Sequence, residues 1–222
     1  MPYILNIETA TKNCSVSVAK DGQTIICREI AEQGYSHAEK LHVFIGETLS
    51  EAELLFQDLS AVAVGRGPGS YTGLRIGVSA AKGFCFALDI PLISVDTLQV
   101  LAAQAKIRNG VIIPMLDARR MEVYSAVFSS DGKQVREVKA EIITPESFSG
   151  YDQLVYFVGD ASEKCKPVLQ RPNFVFLEDI VYPSAREMSA ISYKHFVGGE
   201  FADTAYFEPF YLKDFLLTTS KK

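Results

Sequence analysis

The residues with the clearest spacing signal for chemistry form a glycine-rich block, GRGPGSYTGLRIG, from Gly65 to Gly77. Glycine-rich turns before a helix often bind phosphate, because exposed backbone N–H groups and the helix dipole favour an anion. The block does not fit a P-loop, since Leu74 and Arg75 follow Gly73 where that motif has lysine and a hydroxyl residue. It does not fit the dinucleotide fingerprint either, because its spacing is too long and Pro68 lacks a donor N–H. The block therefore predicts a tight turn that leads into a helix.

Hydroxyl and guanidinium groups near this turn are the next candidates for chemistry. Ser70 and Thr72 begin the predicted helix, but no histidine lies near them in sequence and the segment is not the G-x-S-x-G elbow. Helix capping is the role that we predict for one of them. Arg66 and Arg75 flank the turn, and we interpret them as structural residues rather than phosphate ligands.

Composition limits the class of protein. The 222 residues are 48% hydrophobic and 22% charged, which suits one large domain or two lobes with a packed core. A net charge of -5, with no local basic patch in the sequence, offers little attraction for a polyanion. The 4 cysteines are far apart and are interpreted as buried thiols of a reducing compartment. With no signal segment and no long apolar run, the sequence predicts a cytoplasmic protein.

Strand-like and helix-like runs follow one order in the first half of the chain. YILNIE, CSVSVAK and TIICREI are rich in β-branched residues and predict three strands. A helix follows, marked by Ser36 and Glu39 in capping-box spacing. AVAVGR and PLISV predict two further strands, each followed by a helix, the first after the glycine block and the second at TLQVLAAQA.

The same order recurs in the second half. VIIPMLD, EVYSAVF and KQVREVKAEII predict three strands, PESF a short helical turn, LVYFVG a strand, ASEKCKPVLQ a helix, NFVFLE a strand and SAREMSAISYKHFV a helix. A duplicated βββαβαβα order is the layout of the actin-like ATPase (ASKHA, RNase H-like) fold. The sequence thus predicts an α/β protein with a first lobe at 1–106 and a second at 107–202. Residues 203–222 are a candidate addition to the first lobe.

Actin-like folds place an acid at the end of the first strand of each lobe, where it helps to hold magnesium-bound phosphate. Glu8 and Asp117 stand at these two positions, but the turns after them contain no glycine, so backbone donors cannot converge closely on a phosphate. Gly159 and Asp160 stand where such folds often meet adenosine, and they also fit an ordinary strand-to-helix turn. We expect no required cofactor, and we keep weak ATP or ADP binding open at Glu8, Thr9, Asp117, Gly159 and Asp160.

Four segments resemble one known family: GRGPGSYTGLRIGVSAAKG, ILNIETATKNCSVSVAKDG, SHAEKL and LDARRMEVYSAVF. Together they resemble the TsaB (YeaZ) family of bacterial proteins over essentially the whole chain, most weakly after Lys139. The resemblance implies an actin-like fold and a role in making threonylcarbamoyladenosine, the modified base beside the anticodon of tRNAs that read codons beginning with A. It implies a non-catalytic partner of the homologous TsaD transferase, with the ATPase TsaE docking on the pair. It also implies a homodimer when the chain is alone, contact with tRNA only through the complex, and no membrane association.

The catalytic relatives resembling this chain carry a metal pair in H-x-x-x-H spacing. Here the segment begins at His37, and the second position is Leu41. His42 does not replace it, because five residues of helix turn a side chain roughly 140° away. His195 stands near a predicted helix end, where surface histidines are common. We therefore expect no catalytic residue and no metal site, against the metallopeptidase label sometimes given to such chains.

The helix after the glycine block is apolar nearly all round, so it must be buried on two sides. The second side is either its own lobe or another protein, and we predict a four-helix interface between helices 36–49 and 71–88 and the same pair on TsaD or a second copy. The predicted contacts are Leu41, Ile45, Gly73, Leu74, Ile76, Gly77, Ala80, Ala81 and Phe84. A charge at Gly77 is expected to break pairing without unfolding the lobe. The alternative function is an ATP-dependent phosphotransferase of the actin-like fold, which the missing glycine-rich phosphate hairpin disfavours.

Overall fold

The computed structural model describes residues 1–31 and 37–213, and two five-stranded sheets form its framework. The first sheet has the order β3-β2-β1-β4-β5. Its strands are β1 (Tyr3–Glu8), β2 (Asn13–Lys20), β3 (Gln23–Ala31), β4 (Leu59–Gly65) and β5 (Leu92–Val95). The first three form an antiparallel meander, and β4 and β5 run parallel to β1.

Three helices and one short 3-10 turn connect or follow the strands of the first sheet along the chain. They are α1 (His37–Glu51), the 3-10 turn Phe56–Asp58, α2 (Tyr71–Leu88) and α3 (Thr97–Ala103). Helices α1 and α2 lie side by side and bury their apolar residues against the sheet. The predicted cap at Ser36 lies outside the described residues.

The second sheet repeats the topology in the order β10-β9-β6-β7-β8. Its strands are β6 (Val111–Asp117), β7 (Glu122–Ser129), β8 (Gln134–Ile142), β9 (Val155–Val158) and β10 (Phe174–Phe176). Helix α4 (Ser162–Cys165) lies between β9 and β10 in the chain, and α5 (Ala185–Gly198) follows β10. Again the first three strands are antiparallel and the last two are parallel to the first. This repeated order confirms the predicted actin-like α/β fold.

One helical prediction in the second half is too long. The short turn predicted at PESF lies within the turns of residues 145–150, whereas the predicted helix ASEKCKPVLQ shortens to α4, which has 4 residues. Pro167 explains the shortening, because proline has no N–H for a helical hydrogen bond and disfavours helix in the residue before it.

The last helix of each half packs across to the other sheet. Leu98 and Leu101 of α3 join the core of the second sheet with Phe128, whereas Met188 of α5 joins a cluster under the first sheet with Ile4. The two sheets divide between β5 and β6, and each half thus supplies one helix to the core of the other half's sheet.

A buried polar network joins α5 to the first sheet. The amide of Asn6 donates to Ser17 Oγ at 3.2 Å and to Ser189 Oγ at 3.4 Å, and its oxygen accepts from Ser192 Oγ at 2.7 Å. Because these groups are buried, their hydrogen bonds fix the position of α5 on the sheet. Within the part of the chain that the structure describes, no helix is long and apolar enough to cross a membrane.

Candidate partner surface and nucleotide cleft

The glycine block packs against the turn between β1 and β2. The backbone N–H of Ser70 donates to the carbonyl oxygen of Ala10 at 2.6 Å, and the hydroxyl of Thr9 donates to the carbonyl oxygen of Gly73 at 2.8 Å. Ser70 is also the N-cap of α2, because its side chain accepts a hydrogen bond from Gly73 N at 3.2 Å. Of the two predicted candidates for this cap, Ser70 and Thr72, it is Ser70 that fills the role. The start of α2 is therefore fixed to the first strand-end turn.

Close packing at this turn requires glycine. A Cβ atom at Gly73 would collide with the carbonyl oxygen of Thr9, and one at Gly77 would collide with the Thr9 hydroxyl. A Cβ at Gly69 would collide with the carbonyl oxygen of Ala10. The block thus lets α2 and its preceding turn lie directly on the backbone of another segment of the same lobe.

This packing corrects the predicted partner contacts. Seven of the nine predicted residues are buried in the isolated chain: Leu41, Ile45, Gly73, Leu74, Gly77, Ala80 and Ala81. They face the sheet because the inward side of each helix carries its largest continuous apolar stripe. Only Ile76 and Phe84 stay partly accessible. Because a side chain at Gly77 would collide with Thr9, we now expect a charge there to disturb the fold of the lobe as well as any pairing.

A different set of residues forms the solvent-facing side of α1, α2 and the 3-10 turn. We call this set the outer face, and it comprises Val43, Gly46, Leu55, Phe56, Ile76, Ser79, Gly83, Phe84, Phe86 and Ala87. The ring of Phe84 stacks on Phe56 at 5.3 Å between centroids and lies 6.1 Å from the ring of His42 on α1. These contacts join the two helices into one continuous surface.

The outer face combines exposed apolar side chains with open small residues. Phe86 is 87% exposed, Leu55 69% and Val43 50%. Nothing lies within 4 Å of a Cβ built at Gly46 or Gly83. Exposed large apolar groups beside small residues suit close packing against another protein surface.

The first predicted acid, Glu8 at the end of β1, is enclosed. Glu8 is 0% exposed, and its carboxylate accepts from Ala10 N at 2.8 Å and from Thr97 Oγ1 at 3.1 Å. A Cβ at Gly65 would collide with this carboxylate. Burial raises the pKa of Glu8 to about 7, and the hydrogen bonds from Ala10, Thr97 and Thr9 oppose the rise. Both carboxylate oxygens are thus occupied by protein donors.

Three of the residues predicted for weak nucleotide binding, Asp117, Gly159 and Asp160, lie together at the end of β6. The backbone N–H of Asp117 donates to Asp160 Oδ1 at 2.9 Å, and Asp117 pairs with Lys164 at 2.5 Å. Gly159 precedes Asp160, and a Cβ there would collide with the carbonyl oxygen of Met115. Burial raises the pKa of Asp160; the hydrogen bond from the backbone of Asp117 and the charge of Lys164 oppose this rise, and the charge of Asp117 adds to it. This acid pair is more open than Glu8, because half of the Asp117 side chain is exposed.

The side chains of His37 and His195 are each engaged by one protein group. The ring Nε2 of His37 donates to the carbonyl oxygen of Thr11 at 2.7 Å, since a carbonyl can only accept. His195 Nδ1 lies 2.7 Å from Glu200. Across residues 1–31 and 37–213, no three histidine, cysteine or acidic side chains group in a way that could hold a metal ion.

Comparison with known proteins connects this geometry to one family. The family model described as TsaD, tRNA N6-adenosine threonylcarbamoyltransferase, matches residues 25–198. The TsaB protein of Escherichia coli K12, named a tRNA threonylcarbamoyladenosine biosynthesis protein, is 30% identical over 95% of this chain and 94% of its own length. The chain belongs to the TsaB family. The TsaB of Bacillus subtilis is 36% identical over 56% of this chain and 54% of its own length.

Solved structures agree with the TsaB assignment. YeaZ from Pseudomonas aeruginosa has a TM-score of 0.81 at 26% identity and covers 96% of this chain and 100% of its own. The ethanolamine utilization protein EutJ from Carboxydothermus hydrogenoformans has a TM-score of 0.54 at 14% identity, over 86% of this chain and 90% of its own. The second likeness concerns the fold alone.

For this TsaB-family chain, sequence reasoning missed most of the outer face. Ser79, Gly83 and Ala87 recur every four residues along α2, opposite the glycines that face the core. That spacing was a usable signal. It was obscured because small residues occur on both sides of the helix, so their inward and outward sets could not be separated without the sheet.

Proposed function

We propose that the chain is a non-catalytic subunit of the machinery that makes threonylcarbamoyladenosine in tRNA, and that it binds and activates the TsaD transferase through the outer face. The observation that carries this proposal is the outer face itself, with Phe86 at 87% exposure on a helix that is otherwise packed into its lobe. A soluble monomer gains nothing from such a surface, whereas a partner helix pair would bury it.

The chemistry of the described residues supports an accessory role. The position that would hold a second metal-binding histidine is Leu41, which is fully buried. The ring of His37 is engaged with the backbone of Thr11. Neither side chain is placed to coordinate a metal ion or activate water, so we assign the transfer step to TsaD.

Light scattering after size exclusion tests the interface. We expect a one-to-one complex of the chain with TsaD from the same organism. Phe86→Asp should weaken it by about 2 kcal/mol or more, near 30-fold in Kd, because a central aromatic anchor is replaced by a charge. Ile142→Asp is the matched control, since Ile142 is 68% exposed but lies on β8 of the second sheet. Equal Kd values for the Phe86→Asp variant and the native chain would refute the assignment of this surface.

We extend the proposal to the other assemblies of the family. The chain alone should pair with a second copy through the outer face, TsaE should bind the pair with TsaD, and tRNA should be bound by the complex rather than by the chain alone. These roles place the chain in the cytoplasm with its tRNA substrate. Loss of the homodimer on Phe86→Asp, with TsaE bound only when TsaD is present, is the expected pattern.

We propose that no nucleotide is required for this role. The enclosure of Glu8 by Ala10, Thr97 and Gly65 supports this, since magnesium would have to displace protein donors. Calorimetry with Mg-ATP should show at most weak binding of ATP or ADP near Asp117, Gly159 and Asp160. Tight binding with phosphate release by the purified chain would instead favour the phosphotransferase alternative.

A further inference from the structure

The turn between β6 and β7 has an unusual backbone. Arg119 has φ 74° and Arg120 has φ 50°. Both values lie in the left-handed region, which is common for glycine, less so for asparagine and aspartate, and rare for other residues. Two consecutive arginines there are costly to fold, and such outliers concentrate at functional sites.

Neighbouring side chains hold this turn through its backbone. The Lys164 ammonium donates to the carbonyl oxygens of Arg120 at 2.7 Å and Glu122 at 2.8 Å. Asp117 Oδ1 accepts from the backbone N–H of Arg119 at 2.8 Å. The two arginine side chains are exposed, and neither guanidinium makes a hydrogen bond or ion pair with the described residues. The turn is thus built and supported while its two charges are left available.

Positive charge from both halves of the chain gathers around this turn. Lys164 contacts the turn directly, through Asp117 and the carbonyl oxygen of Arg120. Burial raises the pKa of Asp160, and the charges of Lys12, from the β1–β2 turn of the first half, and of Lys164 oppose that rise. Arg119 and Arg120 add two exposed cations to this turn, in a chain whose net charge is -5.

Phosphate is the ligand chemistry that suits this arrangement, because a guanidinium binds phosphate oxygens through two parallel hydrogen bonds. A phosphate here has two sources, a bound nucleotide or the backbone of an RNA. A nucleotide would lack one of the two strand-end acids that usually hold its magnesium, since Glu8 is enclosed by protein donors. An RNA backbone needs only exposed cations, and the relatives of this chain act in tRNA modification.

We propose that Arg119 and Arg120 bind phosphate groups of the tRNA backbone when the chain is in its complex with the transferase. This inference rests on the proposed function, because the complex brings tRNA to the chain. The strained turn serves to present two adjacent, exposed guanidinium groups to the ligand.

Two pairs of substitutions and one control pair test the inference. Arg119→Glu with Arg120→Glu reverses both charges. Arg119→Asn with Arg120→Gly removes the charges but suits the left-handed backbone, so its thermal midpoint should equal or exceed that of the native chain. Lys133→Glu with Lys139→Glu is the control, because both lysines are exposed in the same half of the chain and the change in net charge equals that of the first pair.

The measurement is the anisotropy of a fluorescent tRNA that reads codons beginning with A, titrated with the preformed complex at several salt concentrations. Each arginine pair should weaken binding on the order of tenfold at 0.1 M salt and reduce the slope of log K against log salt by about 1 to 2. The lysine control should bind as the native complex does. Calorimetry with Mg-ATP on the same variants reports the nucleotide source.

The outcomes separate the two proposals. Light scattering on each complex comes first: a native chain that forms no complex overturns the proposed function and this inference with it. If the native complex forms and the arginine variants bind tRNA with native affinity and slope, the inference fails while the proposed function stands. Arginine variants that lose the complex itself, or lose only Mg-ATP binding, would assign the turn to a protein or nucleotide contact and also overturn it.

Discussion

The turns after β1 and β6 occupy equivalent places in the two halves of the chain but have opposite surroundings. Glu8 at the first turn is 0% exposed and its oxygens are bonded within the lobe. Asp117 at the second turn is half exposed and pairs with a lysine. One strand-end acid has become part of a core, and the other remains at a charged surface.

The helix that follows the fourth strand of each sheet also differs between the two halves. In the first half, α2 spans 18 residues and carries Gly73 and Gly77 where it crosses the β1–β2 turn. In the second half, α4 spans 4 residues and contacts the β6–β7 turn mainly through Lys164. A long helix with glycines at the crossing covers the turn, whereas a short helix leaves it open to solvent and ligands.

The largest predicted loss of stability follows from a substitution at Gly77, where α2 covers the first turn. Gly77→Glu should cost more than about 4 kcal/mol of unfolding free energy, because the side chain would collide with Thr9 and bury a charge without a partner. Circular dichroism and thermal unfolding of the purified chain should show loss of the folded first half.

Gly83→Glu on the same helix is the control. A Cβ at Gly83 meets nothing within 4 Å, so the thermal midpoint should stay close to that of the native chain while binding to TsaD is lost. The comparison is contradicted if Gly77→Glu folds normally, or if both variants unfold to the same extent.

The strands, turns and one helix cap could be predicted from the sequence, but the tertiary contacts between them could not. The meander of each half, the crossing strands and the Ser70 cap follow from local patterns of β-branched residues, turns and capping groups. The inward orientation of Gly73 and Gly77 does not, because both pack against atoms of Thr9, which is far away in the chain. Likewise, nothing local indicates that α3 and α5 exchange sheets, since this depends on polar partners such as Asn6 in a distant strand.

The charged turn was missed for a related reason. Arg119 and Arg120 are only two residues in an acidic chain, so counting charge along the sequence showed no basic patch. The added cations, Lys12 and Lys164, come from other segments. The left-handed backbone of the two arginines is held in part by Lys164, which donates to the carbonyl oxygen of Arg120 and is far from the turn in sequence, while the adjacent Asp117 accepts from the N–H of Arg119.

The enclosed acid gives the second prediction. The pKa of Glu8 is raised from 4.5 to about 7 in the folded chain, so the folded state binds this proton more tightly than the unfolded state does. Its contribution to stability is therefore complete below pH 4.5 and is lost as the pH rises through about 7. Glu8→Gln should abolish this dependence, and the variant should gain up to about 3 kcal/mol relative to the native chain at pH 8.

Urea unfolding of both chains at pH 5 and pH 8 measures this difference. The matched control is Asp117→Asn, the same kind of substitution at the half-exposed acid of the equivalent strand end, and the pH dependence that Glu8 confers should persist in this variant. Native and Glu8→Gln chains with parallel stability profiles would mean that Glu8 is solvated like Asp117, and the contrast between the two turns would not hold.

The smallest effect concerns the support of the open turn. Lys164→Met should cost about 1 kcal/mol, because it removes charge-assisted hydrogen bonds to the carbonyl oxygens of Arg120 and Glu122, discounted for the partial exposure of the group. Hydrogen exchange should then accelerate at the amides of Ala118 and Glu122, which close the turn, and leave the Ser70 amide of the covered turn unchanged. Restoring the backbone preference with Arg120→Gly in the Lys164→Met chain should recover most of the loss, since glycine accepts the left-handed conformation without strain. If Arg120→Gly recovers none of it, the cost lies in the ion pair with Asp117 rather than in the strained backbone that the lysine holds.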